Sequence, residues 1–255
     1  MSQGSIKQEV RIALVTGAVG GIGQSLVRSF AQHGYDVIGM DRIPRPIGFL
    51  GSHYLEADLD RLVRDETYKA EKTEYIREIL KHAGLCVLVN NAAVQVLGGV
   101  DSLTMRDWQH TLNVNVLAPF ALTQALLPHL EAARGCVIHI SSIHARLTKA
   151  GFVAYATSKA ALSGMTRAMA VDLGGRVRVN AIEPAAIGTS MLMAGFAGKP
   201  DLLTQLEGCH PQGRIGSPEE VAALAVSMAS GELRFLHGAC VGMDGGISGR
   251  LFDPL

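Results

Sequence analysis

Tyr155 and Lys159 close the pentapeptide Tyr-Ala-Thr-Ser-Lys, four residues apart. On a helix that spacing brings both side chains to one face. A phenol ionises at about pH 10 in water and is a poor base near neutrality. An ammonium beside it stabilises the phenolate and moves the group toward a range useful for exchanging a proton. Tyr68-Lys-Ala-Glu-Lys72 has the same spacing, so the pattern alone is not specific. Context separates the two. Tyr155 follows the apolar run Val137–Ile140 and the pair Ser141-Ser142, with Ser142 standing 13 residues upstream. Tyr68 has Leu55 at the matching place and is surrounded by Lys69, Glu71, Lys72 and Glu74. Tyr68 reads as part of a solvated helix face, and Tyr155 as the acid/base.

A second cluster is built for binding. Thr16-Gly17-Ala18-Val19-Gly20-Gly21-Ile22-Gly23 joins an apolar run to a helical pattern. Unsatisfied N–H groups at such a junction point at whatever anion sits there. Glycines let the backbone approach a pyrophosphate and let the helix pack close on the sheet. A plain tight turn is the other reading of a glycine cluster, and position decides between them. This cluster lies between the first strand and first helix, and Asp41 stands 18 residues after Gly23, at the end of the second strand. There a carboxylate can accept hydrogen bonds from an adenosine ribose. The combination predicts a dinucleotide site.

Together these segments resemble the short-chain dehydrogenase/reductase superfamily. Thr16 to Gly23 is similar to its TGxxxGxG motif, and Asn90-Asn91-Ala92-Ala93 to its NNAG segment, with alanine in place of the final glycine. Tyr155 to Lys159 matches YxxxK, Ser142 has the family's usual spacing from the tyrosine, and Asn115 in Val114-Asn115-Val116 matches the helix asparagine. Arg178–Pro184, Gly213–Gly216 and Asp244–Gly246 extend the likeness over about residues 11–247. The resemblance implies a catalytic set of Asn115, Ser142, Tyr155 and Lys159. Ser142 would hold the substrate oxygen, Lys159 would also bind the nicotinamide ribose, and Asn115 would support a water in the proton relay. It implies cofactor contacts from Gly17, Gly21, Ile22, Gly23, Asp41, Arg42, Asp58, Leu59, Asn91, Tyr155, Lys159, Ile187 and Thr189. It also implies a homotetramer. Pro184-Ala185 replaces the family's Pro-Gly, which leaves the shape of the nicotinamide end open.

Charge bears on the choice of cofactor. Asp41 would repel a 2′-phosphate as well as bind the free ribose hydroxyl, and Gly20 stands where many NADP-linked relatives carry a basic residue. Arg42 argues the other way, since it could pair with a phosphate or stack beside the adenine. The balance favours NAD over NADP, and with it an NAD-linked alcohol–ketone oxidoreductase over an NADP-linked ketone or 3-oxoacyl reductase; a dinucleotide-sensing binding module is the non-enzyme rival. For the substrate, Gln95, His144 and Arg146 join Ser142 and Tyr155 as candidate contacts. An arginine fork suits a carboxylate and a histidine suits a hydroxyl. The expected substrate is a small sugar, polyol or hydroxy acid, although Met191, Met193 and Phe196 could cover an apolar ligand. His139, inside a strand-like run, reads as a satisfied core histidine.

Placing these groups takes a particular scaffold. Short apolar runs at 11–16, 36–40, 85–89, 135–140, 177–182 and 239–243 alternate with helical patterns at 71–82, 104–130, 153–173 and 218–230. Strands apolar on both faces predict a parallel sheet covered by helices on each side. The fold class is α/β, a single-domain Rossmann-like doubly wound sheet over residues 1–255, with a turn at Pro44–Gly51 and a mobile flap at about 189–214. With 48% hydrophobic and 18% charged residues, a large core is available and disorder is excluded. Lys+Arg and Asp+Glu both number 23, which disfavours a nucleic-acid partner. The four cysteines have neither zinc nor CxxC spacing, so no metal site is expected. Met1–Glu9 has no apolar signal core, and the charge-free stretch between Asp107 and Glu131 carries too many amides and prolines for lipid. A cytoplasmic protein with no membrane partner is expected. The same charge-free stretch, with the 153–173 helix, holds more apolar surface than one sheet contact needs, in keeping with assembly. The tail 248–255 ends with Leu251, Phe252 and Leu255 and could reach a neighbouring subunit.

Overall fold

The computed structural model describes residues 10–81 and 83–251, so Phe252 and Leu255 of the tail lie outside the described residues. Seven strands form one parallel sheet: β1 (Arg11–Thr16), β2 (Tyr35–Asp41), β3 (His53–Glu56), β4 (Val87–Asn90), β5 (Cys136–Ile140), β6 (Arg178–Pro184) and β7 (Cys240–Met243). Their order is β3-β2-β1-β4-β5-β6-β7. β4 and β5 are buried along their whole length, as strands covered on both faces must be. On one face α1 (Gly21–Gln32) and α9 (Pro218–Ala229) bring Leu26, Phe30, Val221 and Met228 onto Val15, Val89 and Ile138. On the other, α2 (Leu59–Arg64), α3 (Glu66–Leu80), α5 (Ala118–Ala132) and α6 (Val153–Leu173) pack Leu62, Leu80, Leu122 and Leu173 over Leu14, Leu88 and Val137. The single-domain doubly wound sheet is therefore as the alternation implied. Strand order reverses between β1 and β4, and open α/β sheets bind ligands outside the carboxyl ends at such a point.

The boundaries differ where the apolar signal is thin. β3 and α2 have no counterpart in the sequence reading, because β3 is a four-residue edge strand that buries only Leu55. The helix placed at 71–82 starts earlier, at Glu66, where Asp65 caps it by accepting from the Tyr68 N–H. The single helix placed at 104–130 is instead α4 (Met105–Leu112), a wide π turn at Asn113–Leu117 and α5. π turns that interrupt α-helices are frequent at functional sites, and this one carries Asn115. The segment read as a flap holds two short helices, α7 (Ser190–Gly195) and α8 (Pro200–Cys209), and α8 buries no residue. α9 begins as its sequence indicates, with Ser217 and Glu220 in a reciprocal capping box.

Candidate active site

The glycine turn follows β1 directly. Gly17 has φ +63, and a Cβ there would come within 2.8 Å of the Ala92 Cα, so both backbone and space require glycine. A Cβ on Gly23 would lie 1.9 Å from the Gly17 carbonyl oxygen, and one on Gly21 would meet Thr189 at 2.9 Å. Asn91 braces the turn: its Nδ2 donates to the carbonyls of Thr16 and Gly17, at 2.9 and 3.1 Å. Thr16 Oγ1 accepts from the N–H groups of Asn91 and Ala92, a role the sequence did not suggest. α1 opens at Gly21 with no side-chain cap and no acidic residue in its first turn. Its free N–H groups and the glycine cradle fit a phosphate-bearing group. Asp41 lies beside the cradle, accepting from the Val19 N–H at 3.0 Å and from the Arg42 N–H at 2.7 Å. Arg42 is exposed. Asp58 is the N-cap of α2, with one oxygen accepting from Asp60 and Arg61, and the Leu59 side chain packs into the core. Ile187 is buried in the opposite core layer, and Thr189 caps α7 facing Gly21.

The four catalytic candidates converge at the carboxyl ends of β4 and β5. Asn115, 1% exposed, accepts from the Val94 N–H at 2.8 Å and donates to the Val94 carbonyl and the Ser158 hydroxyl, both at 2.9 Å. Ser158 in turn donates to the Tyr155 carbonyl at 2.7 Å. Asn115 thereby ties the loop after β4 to the first turn of α6. Lys159, 2% exposed, donates to the Ile140 carbonyl at 2.8 Å, and its Nζ lies 5.7 Å from the centre of the Tyr155 ring. Burial pushes the Lys159 ammonium down to about 8. Burial raises the Tyr155 phenol, opposed by a hydrogen bond with the Ser142 side chain. The sequence argument had the ammonium lowering the phenol; here desolvation prevails, with the ammonium engaged by the Ile140 carbonyl.

At the substrate end the candidates divide. His144 remains beside Tyr155, with ring centres 5.7 Å apart. Gln95 is exposed in the loop after β4. Arg146 does not offer an open fork. Its Nε approaches Oε2 of Glu183 to 2.9 Å as an ion pair, although its N–H is not aligned on that oxygen. Glu183 is 1% exposed at the end of β6, and its Oε1 accepts from Ser163 at 2.8 Å. The Ser163 hydroxyl lies 2.8 Å from that of Ser141, which donates to the Lys159 carbonyl. Arg146→Ala should cost about 1–3 kcal/mol, because it strips the counter-charge from a buried carboxylate while the arginine itself is half exposed. Glu183→Gln should cost less, since the amide oxygen still accepts from Ser163. Thermal melts of the two variants check the order; equal Tm values would mean the pair does not hold the loop.

His139 is fully buried, as expected, but not satisfied. Its Nδ1 lies 3.2 Å from the Asn90 amide, while its Nε2 and the Asn90 Oδ1 have no partner among the described residues. Burial, and then the Lys159 charge, push it down to about 3, so it is neutral. Tyr68 is less solvated than expected: it leans on the core and its hydroxyl accepts from the Asp58 N–H. Glu183, Ser163, Ser158 and Phe152 were missed as site residues, although Ser158 lies within Tyr155–Lys159 and Glu183 within Arg178–Pro184.

The fold and the glycine turn define a Rossmann-like α/β scaffold, and comparison narrows it. Residues 17–248 match a family model described as Enoyl-(Acyl carrier protein) reductase. The chain is similar to 3-oxoacyl-acyl-carrier-protein reductase FabG of Thermotoga maritima, with 32% identity over 95% of this chain and 99% of that one. It is 32% identical to D-threitol dehydrogenase of Mycolicibacterium smegmatis over 92% of each. The ligand-free aldohexose dehydrogenase of Thermoplasma acidophilum superposes with TM-score 0.87 and 27% identity over 97% of each chain. The chain belongs to the short-chain dehydrogenase/reductase superfamily. Its relatives support alcohol–ketone oxidoreduction with a nicotinamide dinucleotide.

Proposed function

We propose that this protein is an NAD-dependent dehydrogenase interconverting a secondary alcohol and a ketone, with Tyr155 as general acid/base. The observation that carries the reading is the convergence of Asn115, Ser142, Tyr155 and Lys159 at the same edge of the sheet as the glycine turn. When bound, the dinucleotide supplies the hydride donor or acceptor. Its phosphates would lie over Gly17, Gly21, Ile22 and Gly23, its adenosine ribose against Asp41, and its nicotinamide end near Ile187 and Thr189. In the oxidative direction Ser142 holds the substrate oxygen and Tyr155 takes its proton. Lys159, fixed by the Ile140 carbonyl with its Nζ 5.7 Å from the Tyr155 ring centre, would hold the nicotinamide ribose. Asn115 keeps the loop after β4 and the start of α6 in register. Turnover measured with each cofactor is the test: no reduction of either by any secondary alcohol rejects the reading.

Preference for NAD rests on Asp41, whose carboxylate stands beside the cradle. Asp41→Ala should weaken NAD binding about tenfold and narrow the gap to NADP, by removing both an acceptor and a source of repulsion. Unchanged cofactor constants would separate Asp41 from the ribose. A wild-type preference for NADP, with Arg42 pairing to the 2′-phosphate, would reject the charge argument.

The substrate on this reading is small and polar, a sugar, polyol or hydroxy acid, with α7 and α8 as the flap over it. The polar groups Gln95 and His144 support it, as do the names of the threitol and aldohexose relatives. Among the described residues no helix is long and apolar enough to cross a membrane. A cytoplasmic location belongs to the same reading and is tested by fractionation. So does a homotetramer, supported by the exposed Leu117 and Phe120 around the start of α5 and by Val171 on α6. Light scattering that returned a fully active 27.0 kDa monomer would remove the tetramer.

A further inference from the structure

We infer that His144 reads a second oxygen on the carbon next to the reacting carbinol, so that vicinal diols and α-hydroxyketones are preferred over simple alcohols and over hydroxy acids. This rests on the alcohol–ketone reading above and narrows its substrate.

The ring of His144 is held on three sides. Its backbone N–H donates to the Ser142 hydroxyl oxygen at 3.2 Å, fixing it relative to the group expected to hold the reacting oxygen. It stacks on Phe152 with ring centres 4.5 Å apart and planes within 1°. Both rings meet Tyr155 edge to face, at 5.7 and 6.1 Å. Nδ1 is occupied by the Thr148 hydroxyl at 3.1 Å, and Nε2 makes no hydrogen bond among the described residues. An imidazole pinned at Nδ1, with its ring against the Tyr155 ring, leaves Nε2 available to a polar atom of the substrate. Burial, followed by the Lys149 charge, keeps that imidazole neutral near pH 7.

The chemistry of the partner follows from charge. With Nδ1 pinned, Nε2 is a donor or an acceptor according to tautomer, and a hydroxyl satisfies either. A carboxylate would need a cation as well. Of the two cations at hand, Arg146 is taken by the buried Glu183 and lies within electrostatic reach of Asp244, while Lys149 lies over the far ring, its Nζ 4.9 Å from the Phe152 ring centre. Two carboxylates facing one guanidinium leave Arg146 no positive excess to offer an anionic substrate. A simple alcohol, conversely, would leave the Nε2 position unpaired when the site closes, and sites built for a polar partner discriminate strongly against its absence.

The experiment compares kcat/KM for 2,3-butanediol, 2-butanol and 2-hydroxybutyrate in wild type, His144→Leu and His144→Gln. The pair of butanols differs only in the second hydroxyl. Wild type should prefer the diol to 2-butanol by about ten- to hundredfold, with the hydroxy acid poorest. His144→Leu should bring the diol-to-alcohol ratio within about threefold, and His144→Gln should restore part of it, since its amide can donate or accept. A wild-type ratio under about threefold, a ratio that survives His144→Leu, or best turnover of the hydroxy acid overturns the inference while leaving the dehydrogenase reading intact. Should His144→Leu not fold, the wild-type ratio and the glutamine variant still decide. Absence of turnover with every alcohol and both cofactors would instead strike the dehydrogenase reading itself.

Discussion

Tyr155→Phe should lower kcat about a thousandfold while leaving NADH affinity within about twofold of wild type. The substitution deletes one oxygen and keeps the ring, which His144 and Phe152 contact edge to face. The backbone carbonyl at 155 that accepts from Ser158 is also unchanged. What disappears is the hydroxyl to which the proposed function gives the exchange of the carbinol proton. Positioned acid–base catalysis contributes roughly 10²–10⁴-fold, which sets the size of the expected loss. Burial raises the Tyr155 phenol, so in the oxidative direction wild-type rate should climb with pH as the phenolate fraction grows. That climb is limited from above, because Lys159 sheds its proton through about 8 before cofactor binds. The residual activity of the variant should lack the rising limb attributable to the phenol. Turnover near the wild-type level with an unchanged profile would assign the proton to another group.

Much of this site was readable because its chemistry is local in the chain. The spacing from Tyr155 to Lys159 places both on one helix face whatever surrounds them, and the first strand, turn and helix require the glycines wherever they occur. Asp41 was found by its position in the order of elements. What could not be read depends on strand ends meeting across the sheet. Arg146 looked like a free fork until β5 and β6 brought Glu183 beside it, and no pattern near Arg146 announces a carboxylate 37 residues further on. The direction of the Tyr155 shift failed for the same reason: the ammonium was expected to dominate, but burial depends on Phe152, His144 and the packing of α6. β3 was overlooked because a short edge strand with one buried residue carries almost no period. Asp58 illustrates a local duty, since a residue expected among the cofactor contacts is seen capping the helix that follows it.

Gly23→Ala should raise the dissociation constant for NADH at least a hundredfold, the largest effect expected from a single methyl in this chain. A Cβ at 23 would sit 1.9 Å from the Gly17 carbonyl oxygen and 2.8 Å from its carbon. These are backbone atoms of the turn itself, so no flexible side chain can move aside. Gly17 is held in place, because Asn91 Nδ2 binds its carbonyl and the Ala92 backbone fills the space where its Cβ would be. The first turn of α1 must therefore shift, moving the free N–H groups of Gly21 and its neighbours away from the phosphate position they define. Gly20→Ala is the matched control from the same loop. Its nearest contact would be 3.4 Å, at φ −66, so alanine fits there without strain. Fluorescence titration with NADH, paired with a thermal melt, separates binding from folding. Gly23→Ala should lose affinity and several degrees of Tm, whereas Gly20→Ala should keep both. If Gly23→Ala bound NADH as tightly as wild type, the glycine turn would not be the phosphate cradle, and the placement of the dinucleotide along β1 and α1 would have to be abandoned.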